Sequence, residues 1–188
     1  NQFYPNLYDG TTPVEPNRTP EDGYHLMEDL ADKAIGYIRQ QKAIAPDRPF
    51  FVYFAPGATH APHHVPKDWI AKYKGQFDQG WDQLREETFA RQKKLGVIPP
   101  TCELTKRPDD IPAWDKMDPR LRPVLAREME IYAAFLEYAD HHVGRVVDSL
   151  AELGILDDTL VYYIIGDNGA SAEGSLIGAW NDKAGAEA

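Results

Sequence analysis

Three histidines lie close together in a proline-rich segment that follows a run of aromatic and β-branched residues. They are His60, His63 and His64, and the prolines around them restrict the backbone. Imidazole is a good ligand for transition metals, so one interpretation is a metal site. A single His could instead act in acid–base catalysis, because its pKa lies near neutral pH. A surface loop with solvated histidines is the third interpretation, and these residues alone leave all three open.

A second polar segment follows another long apolar run. Asp167 and Asn168 stand there between two glycines, Gly166 and Gly169. Carboxylate and amide oxygens are the ligands that Ca²⁺ and Mg²⁺ take, and glycines let the backbone approach a ligand closely. An ordinary Asx turn has the same composition. Because Ca²⁺ takes about six oxygen ligands, a metal bound here needs further ligands from elsewhere in the fold.

The two apolar runs that precede these segments predict buried strands. They cover residues 50–55 and 159–165. A continuous aromatic and β-branched run of this length is typical of a strand covered on both faces in a parallel sheet. In open α/β sheets, ligands bind beyond the carboxyl ends of the strands, which is where both polar segments occur.

Apolar residues at helical spacing predict four helices between and around these strands. Thr19 is the expected N-cap of the first helix, with Pro20 at its first position. The predicted helices run from Glu21 to about Gln41, from Lys67 to about Tyr73, from Asp78 to Leu95 and from Asp118 to Gly154. One short strand is expected near residues 6–9. The order of elements predicts an α/β class with a mostly parallel sheet, and two buried strands call for further strands or partners.

The remaining histidines are interpreted more simply. His25 is expected at the start of the first helix, and His141 and His142 are expected to form a pair on the surface of the longest helix.

Composition excludes several classes of function. Lys and Arg number 20 against 30 Asp and Glu, for a net charge of −10. This balance argues against nucleic-acid binding and against an anionic membrane surface. No apolar run approaches the roughly 20 residues of a transmembrane helix, and no signal peptide is expected in the printed sequence. The single cysteine, Cys102, excludes an intrachain disulfide and a cysteine-based zinc cage.

Several segments, in order along the chain, resemble type I sulfatases of the arylsulfatase kind. In that family a His-x-Pro-x-x-x-Pro element follows a hydrophobic strand, and His60, Pro62 and Pro66 match it here. Further similar segments are Tyr8-Asp9-Gly10, Tyr24-His25-Leu26, the helix over residues 138–150, the strand and loop over residues 161–169, and Ser171-Ala172-Glu173-Gly174. Each motif is short, but the ordered set covers most of the chain.

The resemblance implies an alkaline-phosphatase-like α/β fold and hydrolysis of a sulfate monoester, with a small molecule or a saccharide carrying the ester. It implies Ca²⁺, or Mg²⁺, as the ion that holds the sulfate, with Asp167 and Asn168 as two of its ligands. By the same match His60 is the active-site histidine that contacts the sulfate and helps the leaving group depart. A metal that polarises the sulfuryl oxygens and a proton donor at the ester oxygen are chemically suited to this reaction.

The sequence also departs from the family pattern. Type I sulfatases use a formylglycine made within a Cys/Ser-x-Pro-x-Arg motif, and Cys102 has neither the Pro nor the Arg at the required positions. The family's N-terminal Asp pair and downstream active-site Lys are not matched either. We therefore expect residues 1–188 to form the middle portion of a catalytic domain, without turnover of its own. The alternatives are a phosphonate or phosphodiester hydrolase of the same superfamily, and a noncatalytic sulfatase-like module.

Overall fold

Residues 1–166 are described by the structure, which is a computed structural model. The elements are β1 (Leu7–Asp9), β2 (Thr12–Val14), α1 (Leu26–Ile44), α2 (Lys67–Ala71), α3 (Gly80–Leu95) and α4 (Arg122–Glu152), with short 3-10 helices over Trp114–Lys116 and Leu156–Asp158. The chain divides into two units. Unit 1 contains residues 1–65 and the described residues from Phe135 onward, and unit 2 contains residues 66–134. None of the helices within residues 1–166 is long and apolar enough to cross a membrane.

The core of unit 1 is formed by one face of α1 and the second half of α4. The buried residues of α1 recur at the spacing of a single helix face: Met27, Ala31, Ala34 and Ile38. From α4, the buried apolar residues of this unit are Phe135, Tyr138, Ala139 and Leu150. Ion pairs Asp32–Arg145 and Arg39–Glu152 join the two helices where their side chains are partly exposed. Each such pair contributes about 0–1 kcal/mol, so the apolar contacts carry most of the packing energy.

The start of α1 differs from the prediction. Helix α1 begins at Leu26 rather than at Glu21, and His25 is its N-cap. Thr19 instead opens a turn, in which its carbonyl accepts hydrogen bonds from the amides of Asp22 and Tyr24 at 3.1 and 2.9 Å. Gly23 follows with a φ of 87°, a left-handed conformation that cannot continue a helix. The Thr-Pro pair therefore begins a turn and not the helix.

The predicted buried strands are not formed within the described residues. The only sheet there is the antiparallel pair β1–β2, in which Leu7 lies opposite Val14. The strand expected near residues 6–9 is confirmed as β1, whereas β2 was not predicted. In the two apolar runs, Phe51 is 90% exposed and Ile164 is 85% exposed, so the prediction of burial is wrong here. A strand needs neighbours for its peptide groups, and residues 1–166 supply none to either run.

The end of α3 and the start of α4 follow local rules. Helix α3 ends at Gly96, which has a φ of 71° and donates its amide to the carbonyl of Lys93. Helix α4 begins at Arg122, four residues after the predicted start, because residues 118–121 form a turn in which the carbonyl of Asp118 accepts from Leu121 and Arg122. Pro123 is tolerated in the first turn of α4, where its missing amide has no partner to lose.

In unit 2, the connection between α3 and α4 is held against α3 by polar contacts. Asp82 of α3 accepts from the backbone amide of Trp114 at 2.7 Å and pairs with Arg107 at 2.8 Å. Trp81 donates its indole N–H to the carbonyl of Pro112 at 3.1 Å. The hydrogen bond from the Trp114 amide, and then the one from Arg107, lower the pKa of the Asp82 carboxyl. This proline-rich connection is thereby ordered without regular structure over most of its length.

Candidate functional site

His60 lies at an exposed position in the loop between the first apolar run and α2. Its backbone amide donates to the carbonyl of Gly57 at 2.9 Å. Its ring Nδ1 lies 2.7 Å from the carbonyl oxygen of Ala61. Two cis peptide bonds, Ala58–Thr59 and Ala61–Pro62, flank it. The bond to Gly57 closes a turn that ends at His60, and His60 is exposed to solvent.

The hydrogen bond of the His60 ring fixes its tautomer. A carbonyl oxygen only accepts, so Nδ1 is the nitrogen that carries the proton in the neutral ring. In the protonated ring, Nε2 carries the second proton. An exposed imidazole with one nitrogen held by the backbone is suited to proton transfer, because the orientation of the other nitrogen is set.

The other two histidines of the loop do not converge with His60 on a common centre. His63 donates from Nε2 to the carbonyl of Thr59 at 3.0 Å, and the Nδ1 of His64 donates to the side-chain oxygen of Asn1 at 3.1 Å. Across the described part of the chain there is no group of three or more His, Cys, Asp or Glu placed to hold a metal ion. The interpretation of the three histidines as a metal site therefore finds no support in this geometry.

The backbone of the loop is tied to the start of α1 by His25. The Nε2 of His25 lies 3.1 Å from the carbonyl oxygen of His64, and its Nδ1 accepts from the amide of Met27 at 3.1 Å. The ring is 1% exposed, and burial lowers its pKa. The prediction placed His25 at a helix start, which is confirmed, but it missed the link to the loop. His is not a favoured N-cap residue, so no signal in the sequence indicated it.

The prediction that both histidines of the pair in α4 lie on the helix surface is wrong for His142, which is buried. It is 4% exposed, whereas His141 is exposed. The guanidinium of Arg145 donates to the Nδ1 of His142 at 3.0 Å, and the ring edge packs on Tyr138 with centroids 4.5 Å apart. Burial, then Arg145, then His141 lower the pKa of His142 to about 4. The buried face of α4 therefore includes a neutral histidine that helical spacing alone did not separate from its neighbour.

The two predicted metal ligands, Asp167 and Asn168, lie outside the described residues, which end at Gly166. Of the predicted site residues the structure thus places His60 alone. Its loop and the run that leads to Asp167 belong to the same unit.

Comparison with known proteins agrees with the order of motifs in this chain. The family model for sulfatases matches residues 1–187. An uncharacterized sulfatase of Schizosaccharomyces pombe is 37% identical over 185 residues, which cover 94% of this chain and 31% of the relative.

Two proteins named arylsulfatase are also similar. The one from Klebsiella aerogenes is 32% identical over 155 residues, or 80% of this chain and 31% of the relative. The one from Volvox carteri is 26% identical over 164 residues, or 82% of this chain and 24% of the relative. The chain thus spans about a third of the length of the first two relatives. With the family model matched over nearly every residue, the chain belongs to the sulfatase family.

Proposed function

We propose that this chain contributes part of the active site of a sulfuric ester hydrolase, of the arylsulfatase kind, that cleaves a sulfate monoester. His60 is the proposed proton donor to the leaving-group oxygen. The observation that carries the proposal is the fixed, exposed ring of His60 in a chain of the sulfatase family. The names of the Klebsiella and Volvox relatives support aryl sulfate esters as test substrates.

The proposed chemistry of His60 follows from its tautomer. With Nδ1 donating to the Ala61 carbonyl, the protonated ring holds its transferable proton on Nε2. Donation of that proton to the ester oxygen neutralises the charge that develops as the sulfur–oxygen bond breaks. Such assistance is worth roughly 10²–10⁴ in rate and matters most when the leaving group is a poor one.

Asp167 and Asn168 are the proposed ligands of a Ca²⁺ or Mg²⁺ ion. A carboxylate and an amide oxygen suit these hard cations, and such an ion supplies polarisation of the sulfuryl oxygens when bound. Both residues follow the run that ends at Gly166. Because Ca²⁺ takes about six oxygen ligands, we propose that further residues complete this site.

We further propose that turnover requires residues not printed here, including a formylglycine nucleophile. The printed sequence has no Cys/Ser-x-Pro-x-Arg motif, and the matched region is 31% of the length of the Klebsiella arylsulfatase. The isolated 188-residue chain is therefore expected to show no turnover of an aryl sulfate.

The proposal is tested on the gene product purified from its native host. Peptide mapping by mass spectrometry should find a Cys/Ser-x-Pro-x-Arg peptide that carries an aldehyde. An unmodified Ser or Thr nucleophile together with turnover of phosphate or phosphonate esters would assign the protein to phosphoryl transfer instead. Hydrolysis of neither ester class would indicate a noncatalytic sulfatase-like module.

The role of His60 is tested in the same protein by comparing His60→Gln with His63→Gln. Both residues lie in one loop and both are exposed, so the second variant is a matched control. We expect His60→Gln to lower kcat by at least about 100-fold on a sulfate ester with a poor leaving group, and by less on 4-nitrophenyl sulfate. His63→Gln should retain most activity on both esters, because its amide N–H can replace Nε2 as the donor to the Thr59 carbonyl. Equal losses on the two esters would contradict proton donation by His60.

A further inference from the structure

We propose that His25 is a positioning residue for the loop that carries His60. Its ring joins the first turn of α1 to the backbone of that loop, and so sets where His60 sits. The catalytic meaning of this link rests on the function proposed above, but the link itself does not.

The two hydrogen bonds of the His25 ring leave it one protonation state. The amide of Met27 donates to Nδ1 at 3.1 Å, so Nδ1 carries no proton. The carbonyl of His64 accepts from Nε2 at 3.1 Å, so Nε2 does. This is the neutral Nε2–H tautomer, with both ring nitrogens paired. The Nδ1 atom therefore caps helix α1, and the Nε2 atom binds the loop that contains His60.

The surroundings of His25 hold the ring in this orientation. It is 1% exposed, and its edge contacts with Phe3 and Tyr138 have centroid distances of 5.2 and 4.7 Å. The adjacent amide of Leu26 donates to the carbonyl of Gln2 at 2.8 Å. A ring packed on two sides and paired at both nitrogens cannot turn without leaving buried polar groups unpaired.

Hydrogen bonds within the loop connect His64 to the segment that contains His60. The amide of His64 donates to the carbonyl of Pro62 at 2.8 Å. The ring of His63 bonds back to the carbonyl of Thr59 at 3.0 Å. Since these bonds close the segment on both sides of His60, an anchor at His64 restrains the histidine four residues earlier.

Two substitutions of His25 separate the capping of α1 from the hydrogen bond to His64. In His25→Asn, the amide oxygen can replace Nδ1 as the acceptor for Met27, but the side chain is too short to reach the His64 carbonyl. In His25→Gln, the amide N–H can take the place of Nε2, but the helix loses its capping acceptor. Asn should therefore free the loop and keep the cap, and Gln should do the reverse.

The test is amide hydrogen exchange, followed by NMR on the full 188-residue chain labelled with ¹³C and ¹⁵N. In His25→Asn we expect the amides of His60 and His64 to lose at least about tenfold in protection, while helix α1 keeps its protection. The ¹⁵N shifts of the His60 ring should move from the Nδ1–H tautomer toward a mixture. In His25→Gln the loop should stay within about threefold of the wild type while the first turn of α1 frays.

Two results would overturn the proposal. One is a His25→Asn chain in which the His60 amide and ring keep wild-type behaviour. The other is equal loss of protection in α1 and in the loop for both variants, which would make His25 a support for folding and nothing more. Neither result depends on catalysis. An activity of the native-host protein that survives His60→Gln would refute the proposed function while leaving this exchange result standing.

Discussion

Two buried, neutral histidines, His25 and His142, should make the stability of unit 1 decrease at acidic pH. Burial, and then the charge of Arg145, lower the pKa of His142 to about 4 from an ordinary value near 6.5, and His141, His25, Glu28 and Tyr138 also lie near the ring. Because the pKa is lowered in the fold, the unfolded chain binds more protons between these two values. The sign is therefore fixed: stability is fully present above pH 6.5 and is lost as the pH falls toward 4. His25 has a lowered pKa as well and acts in the same direction.

We therefore expect the free energy of unfolding to fall by up to about 3 kcal/mol through His142 between pH 7 and pH 4. His142→Asn keeps an acceptor for Arg145 but does not titrate, so its stability should depend less steeply on pH. His141→Asn is the matched control: His141 is exposed and lowers the pKa of His142 less than burial and Arg145 do, so this variant should stay close to the wild-type curve. The measurement is urea unfolding at a series of pH values. Parallel curves for all three proteins would show that His142 is not the titrating group.

At the scale of elements, what the sequence predicted well was decided locally. Helix α3 stops at Gly96 because the turn that ends it needs a left-handed residue there, and a glycine is visible in the sequence. The start of α1 was mispredicted because Thr19 opens a turn and the helix is capped by His25, a residue type that is not a favoured N-cap. The two apolar runs have strand composition, yet a strand forms only with a neighbour, which composition cannot report.

The candidate site shows the same division. His60 could be chosen from the sequence because its loop carries a family motif, and the structure places it in an exposed turn. The tautomer of His60 depends on how the loop turns at Ala61, and the link from His25 to His64 depends on a contact between residues 39 positions apart. No sequence pattern predicts either of these two hydrogen bonds.

The contact between Gly80, at the start of α3, and Trp114, in the 3-10 helix, can be tested by substitution. Gly80 has a φ of 76°, and a Cβ built on it would lie 2.1 Å from the ring of Trp114. Gly80→Ala should therefore cost about 2–4 kcal/mol, from overpacking and backbone strain together. Gly96→Ala at the other end of α3 has a similar φ but open space around it, and should cost about 1 kcal/mol. Urea unfolding followed by the fluorescence of Trp81 and Trp114 compares them, and equal costs would contradict the clash.

At the scale of the whole molecule, large apolar side chains remain in contact with water. Phe51 and Tyr53 are 90% and 82% exposed, and Tyr162 and Ile164 are 77% and 85% exposed. Surface of this kind contributes nothing to the folded state by burial and favours association instead.

We expect the double variant Phe51→Ser with Ile164→Ser to stay within about 0.5–1 kcal/mol of the wild-type stability while binding less of an apolar fluorescent dye. The contrasting variant is Phe135→Ala. Phe135 is 0% exposed, so its loss should cost about 3–5 kcal/mol. Unfolding and dye titration of the three proteins provide the check. A double variant as unstable as Phe135→Ala would mean that the two runs are packed in solution.

The division of the chain at Phe135 has a consequence for the order of synthesis. The described part of unit 2 is one continuous stretch, residues 66–134, whereas unit 1 joins residues on both sides of it. Asp32 and Arg145 are 113 positions apart, and so are Arg39 and Glu152. A ribosome that translates this message releases α1 long before the half of α4 on which it packs. The apolar face of α1 therefore stays uncovered until the second half of α4 has been made, whereas residues 66–134 are complete before that point.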